Sequence, residues 1–429
     1  MSPKPSPPQW IRNAYNPAYL RNVLGTLAQR ESRRDAARSA SRRQAVESDS
    51  NGSPGSSKAI KATPEQIEHY SVKIGAGQDN EYRNRYLHLE PYDRTRVVLS
   101  AQPNCGDGYL NASWVLEKHG GKWWIATQAP LPHTSHSFLS VLLQPVTRPP
   151  PALLAPTTSA TPSTSPHPTT RVRTVVQLTQ NVESGRRKAH AYFPSKVGKS
   201  MIVPAEEGSE ALGVKATLLH QETIQEAHCL RSTIAVVPVK NPPPVNTSTY
   251  ESVEFDDEGG KEDKFGEVHD QRVIFTHLLY TSWPDHGVPE EEDRASLVEF
   301  IRLADRLNRD VSLASYPPTS SSTSASNEGD LDPDPPIIVG CSAGVGRTGS
   351  FIALSSLMRH LGDLPPANSP TPSSVLPPSP LGPLPEQMSE DCVAQEIDGL
   401  REQRQRMVDR PEQVVLIYEV LLKDVFEAS

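Results

Sequence analysis

The stretch of this 429-residue chain richest in reactive groups is Ile337-Ile338-Val339-Gly340-Cys341-Ser342-Ala343-Gly344-Val345-Gly346-Arg347-Thr348-Gly349-Ser350. An apolar run of β type enters a loop of small residues, and Phe351-Ile352-Ala353-Leu354 follows with helical character. Such a loop at a helix N-terminus turns successive backbone N–H groups inward, where they bind an anion. A thiol facing that positive end is biased toward thiolate, the attacking form. Arg347 is placed to return across the loop and grip two phosphate oxygens with its planar fork. Thr348 is placed to hydrogen-bond the sulfur, first as nucleophile and then as leaving group. Two other readings compete. Gly344 to Gly349 has the form G-x-G-x-x-G, a dinucleotide cradle, but the acidic strand end expected about twenty residues on falls in a Pro/Ser-rich stretch. The other is a buried structural cysteine in a tight turn.

The elements that must carry this loop are legible in outline. Trp123 to Thr127, Thr174 to Leu178, Val273 to Phe275 with Leu278 to Tyr280, and Ile337 to Val339 read as short strands. Leu297, Phe300, Ile301, Ala304 and Leu307 recur at helical spacing, with acids before them and arginines after. Phe351 to Leu361 and Gln413 to Phe426 also read as helices. Four polar, Pro-rich or acidic stretches, at 143–170, 240–270, 311–336 and 362–387, read as disordered insertions. Residues 1–60 read as a mostly disordered basic, Pro-rich region with a short helix over Trp10 to Leu27. The arginines between Arg30 and Arg43 read as a solvated basic helix or tail rather than a targeting segment. Removing the insertions leaves roughly 250 residues, one α/β domain over 61–429.

Composition narrows the function. Pro counts 42, about twice the ordinary share, and aromatics only 6%. Lys plus Arg total 43 against 51 Asp plus Glu, a net charge of −8, which gives no electrostatic case for nucleic-acid binding. No run is long and apolar enough for a membrane span, and the N-terminus lacks the apolar centre of a secretory signal. Cys105, Cys229, Cys341 and Cys392 show no paired spacing, so reduced thiols in the cytoplasm, with the nucleus as a second compartment, are expected. His, Asp and Glu show no metal-ligand spacing, so neither metal nor other cofactor is expected.

Cys341 to Thr348 matches C-x-x-G-x-G-R-T, the heart of the protein-tyrosine-phosphatase signature. Further segments, in the family's own order, resemble its other motifs. Asn80 to Arg96 resembles the phosphotyrosine loop, Asp107 to Ser113 and Ile125 to Pro130 two core motifs, Glu183 to Pro194 the loop flanking the site, and Trp283 to Pro289 the mobile acid loop. The chain therefore resembles a non-receptor, tyrosine-specific member, and its Pro/Ser insertions are similar to those of fungal forms. The resemblance implies a twisted mixed central sheet flanked by helices. It also implies hydrolysis of phosphotyrosine in proteins, in intracellular signalling, through a phosphorylated Cys341. Oxyanion charge would be held by the N–H groups of Ser342, Ala343, Gly344, Val345 and Gly346 and by Arg347. Asp285 would be the general acid and then base, carried by Trp283 and Pro284, with Glu183 and Lys188 flanking. Tyr86 would stack on the substrate ring and set a depth that phosphoserine cannot span, and Gln413 would position water.

Three departures stand out. Gly340 replaces the family's His before the nucleophile, which predicts a less acidic thiol and a slower enzyme. His88 stands where Asp or Asn binds the substrate main chain, and Asp409 replaces the first of two glutamines, which predicts slow breakdown of the phosphoenzyme. A phosphotyrosine-binding pseudophosphatase acting as an adaptor is the alternative. Partners implied are tyrosine-phosphorylated proteins, with proline-directed kinases acting on Thr161, Ser165, Ser369, Thr371 and Ser379, and SH3-type domains on Pro380-Leu381-Gly382-Pro383.

Overall fold

The computed structural model describes residues 7–47, 61–99, 108–144, 170–206, 209, 211–242, 254–256, 265–285, 287–316 and 331–427. Most of the expected insertion at 143–170, and parts of those at 240–270 and 311–336, lie outside these residues, as do Thr161 and Ser165. In chain order the strands are β1 (Arg96–Val98), β2 (Tyr109–Leu116), β3 (Trp123–Gln128), β4 (Thr174–Gln177), β5 (Val182–Glu183), β6 (Arg186–Arg187), β7 (Lys199–Val203), β8 (Gly213–Ile224), β9 (Cys229–Val239), β10 (Glu254–Asp256), β11 (Val273–Tyr280) and β12 (Ile337–Cys341). The helices are α1 (Gln9–Asn13), α2 (Pro17–Glu47), α3 (Pro64–His69), α4 (Lys73–Ala76), α5 (Gln78–Glu81), α6 (Ser135–Leu143), α7 (Glu291–Arg309), α8 (Gly346–His360), α9 (Cys392–Gln403) and α10 (Pro411–Val420).

Ten strands form one sheet in the order β1-β2-β3-β12-β4-β11-β9-β8-β7-β10. β12 lies between β3 and β4, parallel to both, and β11 is parallel to β4. The remaining pairs are antiparallel. Strand alternation splits the core between two faces. Ile337, Val339 and Cys341 join Trp124 and Ala126 on the face covered by α7 to α10, whereas Ile338, Trp123 and Ile125 pack with α6. Helix α7 buries Leu297, Phe300, Ile301 and Ala304, with acids in its first turn and arginines in its last, as its spacing predicts. This is the expected mixed α/β architecture with helices on both sheet faces.

The N-terminal region departs from expectation. Instead of a short helix and a solvated tail, α2 runs 31 residues and docks on the domain. Arg30, Arg34, Arg38 and Arg42 recur every four residues and so share one face. Arg30 and Arg34 pair with Asp398, Arg34 also with Glu402, Arg38 with Glu31 and Asp35, and Arg42 with Glu90. The first three of these arginines are buried. A guanidinium tolerates such burial when its fork meets carboxylates bidentately, as Arg30 does on Asp398 at 2.8 Å for both bonds.

The stretch 362–387, expected to be disordered, is also ordered. Arg30 donates to the carbonyls of Leu381, Gly382 and Pro383, Thr371 N–H to Gly121 O, and Asn368 N–H to the buried Asp334. Prolines restrict the unfolded chain, so fixing such a segment costs less entropy than its composition suggests. Its P-x-x-P run is bent by Gly382 (φ 71°), whose N–H bonds Ser379 O, and so lacks the extended form an SH3 groove accepts.

Candidate active site

Cys341 closes β12 at the sheet's carboxyl edge, directly before the loop that opens α8. It is 7% exposed, and the N–H of Gly344 donates to its Sγ at 3.3 Å. The loop sits on β3 so closely that only glycine fits at 344. There φ is 71°, and a Cβ would lie 2.2 Å from the Thr127 carbonyl oxygen. Beneath it lies Arg404, fully buried, donating to the carbonyls of Gly344 (2.7 Å) and Ala343 (3.2 Å) and to Asn111 Oδ1 and Ser113 Oγ. Drawing those carbonyls downward turns the loop's N–H groups toward the concave side. Sequence reasoning missed Arg404, because a run of arginines between two helices reads as solvated surface.

Arg347, in the first turn of α8, is oriented by four hydrogen bonds. Its two terminal nitrogens meet Glu183 at 2.7 and 2.9 Å, the carbonyl of Leu178 at 2.9 Å and that of Pro284 at 2.7 Å. Glu183 is fixed in turn by Thr179 Oγ1 and Gln180 N–H. It reaches this position because Ser184 and Gly185, both at positive φ, make the tight turn of the β5–β6 hairpin. The Pro284 bond ties the acid loop to the cysteine loop. Next in that loop, Asp285 pairs with Lys188 at 2.5 Å. The Lys188 hydrogen bond holds the Asp285 carboxyl below the usual carboxylate range, against a smaller opposing effect of desolvation. Trp283 anchors the loop, buried edge-on against Tyr280.

Tyr86, 39% exposed, stands at the rim and bonds Ser342 Oγ at 2.7 Å. Ser342 spends its one proton on the Lys188 carbonyl, so Tyr86 is the donor to it. Its loop is pinned from below: Asn84 accepts from Tyr109 and Asn111, and the Arg85 N–H donates to Gln128. These residues belong to the two core motifs read in the sequence. Gln413 lies against the first turn of α8, its amide 2.9 Å from where a Cβ at Gly346 would stand.

Three expectations change in detail. Thr348 is fully buried, but its hydroxyl makes no hydrogen bond to the sulfur. The Asp409 charge is offset by Arg406 at 2.7 Å, which weakens the expected repulsion of a phosphoenzyme. At Gly340 a Cβ would meet the Thr127 carbonyl oxygen at 2.8 Å, so the backbone of β3 fills the room a side chain there would need. His88 is exposed, with φ 64°, and its carbonyl accepts from Arg42. The dinucleotide reading fails on geometry, because Gly346 and Gly349 lie within the first turn of α8 and a thiol faces the loop.

A central parallel strand thus delivers a thiol into a tight loop at the N-terminus of a helix on an α/β sheet, with an arginine braced in that helix's first turn. The protein-tyrosine phosphatase family model matches residues 80–147 and 169–370, and the chain belongs to that family. It is 30% identical over 283 residues to receptor-type tyrosine-protein phosphatase eta of Homo sapiens, 66% of this chain and 15% of the relative. It is 28% identical over 282 residues to tyrosine-protein phosphatase non-receptor type 14 of Homo sapiens, 65% and 17%. Tyrosine-protein phosphatase 99A of Drosophila melanogaster is 25% identical over 286 residues, 66% and 16%. The chain thus spans less than a fifth of the length of these relatives.

Proposed function

We propose that this protein hydrolyses phosphotyrosine in other proteins through a cysteinyl-phosphate intermediate. The observation that carries the reading is the Gly344 N–H on Cys341 Sγ, in a loop whose carbonyls Arg404 draws away. Cys341 attacks phosphorus in line while the loop N–H groups and Arg347 hold the equatorial oxygens. Asp285 protonates the leaving phenolate, and the S–P bond is then broken by water that Gln413 positions and Asp285 deprotonates. An incoming phosphate dianion draws Lys188 to itself and raises the proton affinity of the neighbouring carboxyl, so substrate arms the acid. Tyr86 at the rim stacks on the substrate ring, which favours phosphotyrosine over shorter phosphoserine.

The adaptor alternative draws no support from the comparisons, and the groups this mechanism needs, Cys341, Arg347, Glu183 and Asp285, are all retained. Similarity to tyrosine-protein phosphatases supports tyrosine-phosphorylated proteins as substrates. No described helix is long and apolar enough to cross a membrane. A role in intracellular signalling is part of this proposal and rests on the family resemblance alone. The test is turnover of an aryl phosphate with rapid-quench trapping of phosphoenzyme. Cys341→Ser should abolish both signals, and Asp285→Ala should slow phosphoryl transfer by about 10²–10⁴-fold. Turnover that survives Cys341→Ser overturns the mechanism.

A further inference from the structure

At the end of α8 away from the cysteine loop, three side chains from separate elements meet. His119 lies in the turn between β2 and β3, His360 is the last residue of α8 and Cys392 is the first of α9. One ligand atom from each, a ring nitrogen or the sulfur, lies within 4.8 Å of the other two. Their wide separation in the chain hides the cluster from any reading of sequence spacing.

Three observations point to a ligand. His119 Nε2 is buried and has no hydrogen-bond partner among the described residues, a loss that native structures rarely leave uncompensated. The cluster is also preorganised by one buried carboxylate. Glu396 of α9 accepts from the N–H groups of Lys118 and His119 at 3.1 Å each and from Ser356 of α8 at 2.7 Å, and so fixes the turn, α8 and α9 to one another. Finally, His360 stands at the C-terminus of a 15-residue helix, where the carbonyl end of the dipole favours a bound cation.

We infer that His119, His360 and Cys392 form a site for a zinc-class divalent cation, with a fourth position open to water. Two imidazoles and a thiolate are borderline-soft donors, which suit zinc and exclude magnesium or calcium. Tetrahedral zinc holds such ligand atoms roughly 3.3–3.6 Å apart, so the cluster has to close by at most about 1.5 Å, to which rotation of the exposed His360 side chain contributes. On binding, the Cys392 thiol proton passes to solvent and the S–metal bond replaces S–H. The ion then staples the β2–β3 turn, α8 and α9.

The test uses the full chain carrying Cys341→Ser, so that the loop thiol cannot compete, titrated with Co²⁺. One equivalent should give thiolate-to-cobalt absorption in the near ultraviolet with tetrahedral d–d bands, and Zn²⁺ should displace both. Adding Cys392→Ser should abolish the near-ultraviolet band, and adding His360→Gln, at an exposed position, should weaken binding at least about tenfold. The thermal midpoint should rise with Zn²⁺ and cease to do so in the Cys392→Ser form. Absence of thiolate absorption, or absorption that survives Cys392→Ser, overturns the proposal.

Discussion

A carboxyl that must donate a proton stands here against an ammonium that discourages it from holding one. Lys188 depresses the Asp285 proton affinity, so the protonated fraction needed for leaving-group departure falls as pH rises past a low value. Removing Lys188 removes the main depressing cause. The alkaline limb of kcat/KM against pH, measured on an aryl phosphate, should therefore move upward in Lys188→Ala, and an unmoved limb would remove Asp285 from the role of acid. Gly340 makes the second residue-scale case. The sequence presents it as a lost helper of the thiol, whereas the fold shows the Thr127 carbonyl standing in the way of any Cβ. Gly340→Ala should cost about 1–3 kcal/mol by denaturant unfolding, and Gly340→His should lower stability too without quickening turnover. At this scale the chemistry was largely legible, because Cys341, Arg347 and Asp285 announce themselves by type and neighbours. Arg404 and the Lys188–Asp285 pair were not, because contact between distant residues has no signature in one sequence.

Helix α2 shows the same limit for an element. Arginines four apart signal a helix face, yet whether that face meets water or carboxylates depends on Asp398, Glu402 and Glu90, remote in the chain. Burial pushes the Glu402 carboxyl up, but Arg34 and the hydrogen bond from His69 more than reverse this and hold it well below the usual range. A carboxyl depressed in the folded state stabilises above its unfolded pKa, about 4.3, and that contribution drains away as pH falls below it. Arg34→Ala leaves Glu402 without its buried guanidinium, while Asp398 keeps Arg30, and should cost about 3–5 kcal/mol near neutral pH. The variant should also lose less further stability than the parent between about pH 4.5 and 3, since Glu402 is no longer held low. Urea unfolding at several pH values measures both effects, and parallel pH curves for parent and variant would exclude Glu402 as the linked group. The β7–β9 meander was missed for another reason. Val214, Ala216 and Leu218 alternate onto one face with Ile234 and Val236 opposite, but the polar far half of β8 blurs the period.

For the molecule as a whole, the site collects Tyr86, Glu183, Asp285, Cys341 and Gln413 from most of the chain's length onto one sheet edge, so support for any one segment comes from afar. The sequence suggests a catalytic domain over 61–429 behind a mostly disordered N-terminal region, whereas the structure docks α2 onto that domain. Arg42 of α2 holds the His88 carbonyl and the Glu90 carboxylate, just beyond Tyr86, while Arg30 holds the carbonyls at 381–383. The cysteine loop takes its support from Arg404 and β3 and does not touch α2 through these bonds. Removing residues 1–47 therefore strips the rim of its brace and leaves Asp398, Glu402 and Glu90 without their arginine partners, yet spares the Arg404 bonds that hold the nucleophile's cradle. The shortened chain should melt lower and show KM for a phosphotyrosyl peptide raised by about tenfold or more, with kcat reduced far less, because the lost interactions position substrate rather than reacting atoms. A kcat loss matching the KM change would mean that α2 supports the cradle itself. An unchanged melting temperature and KM would mean that the arginine face contributes nothing beyond its own solvation.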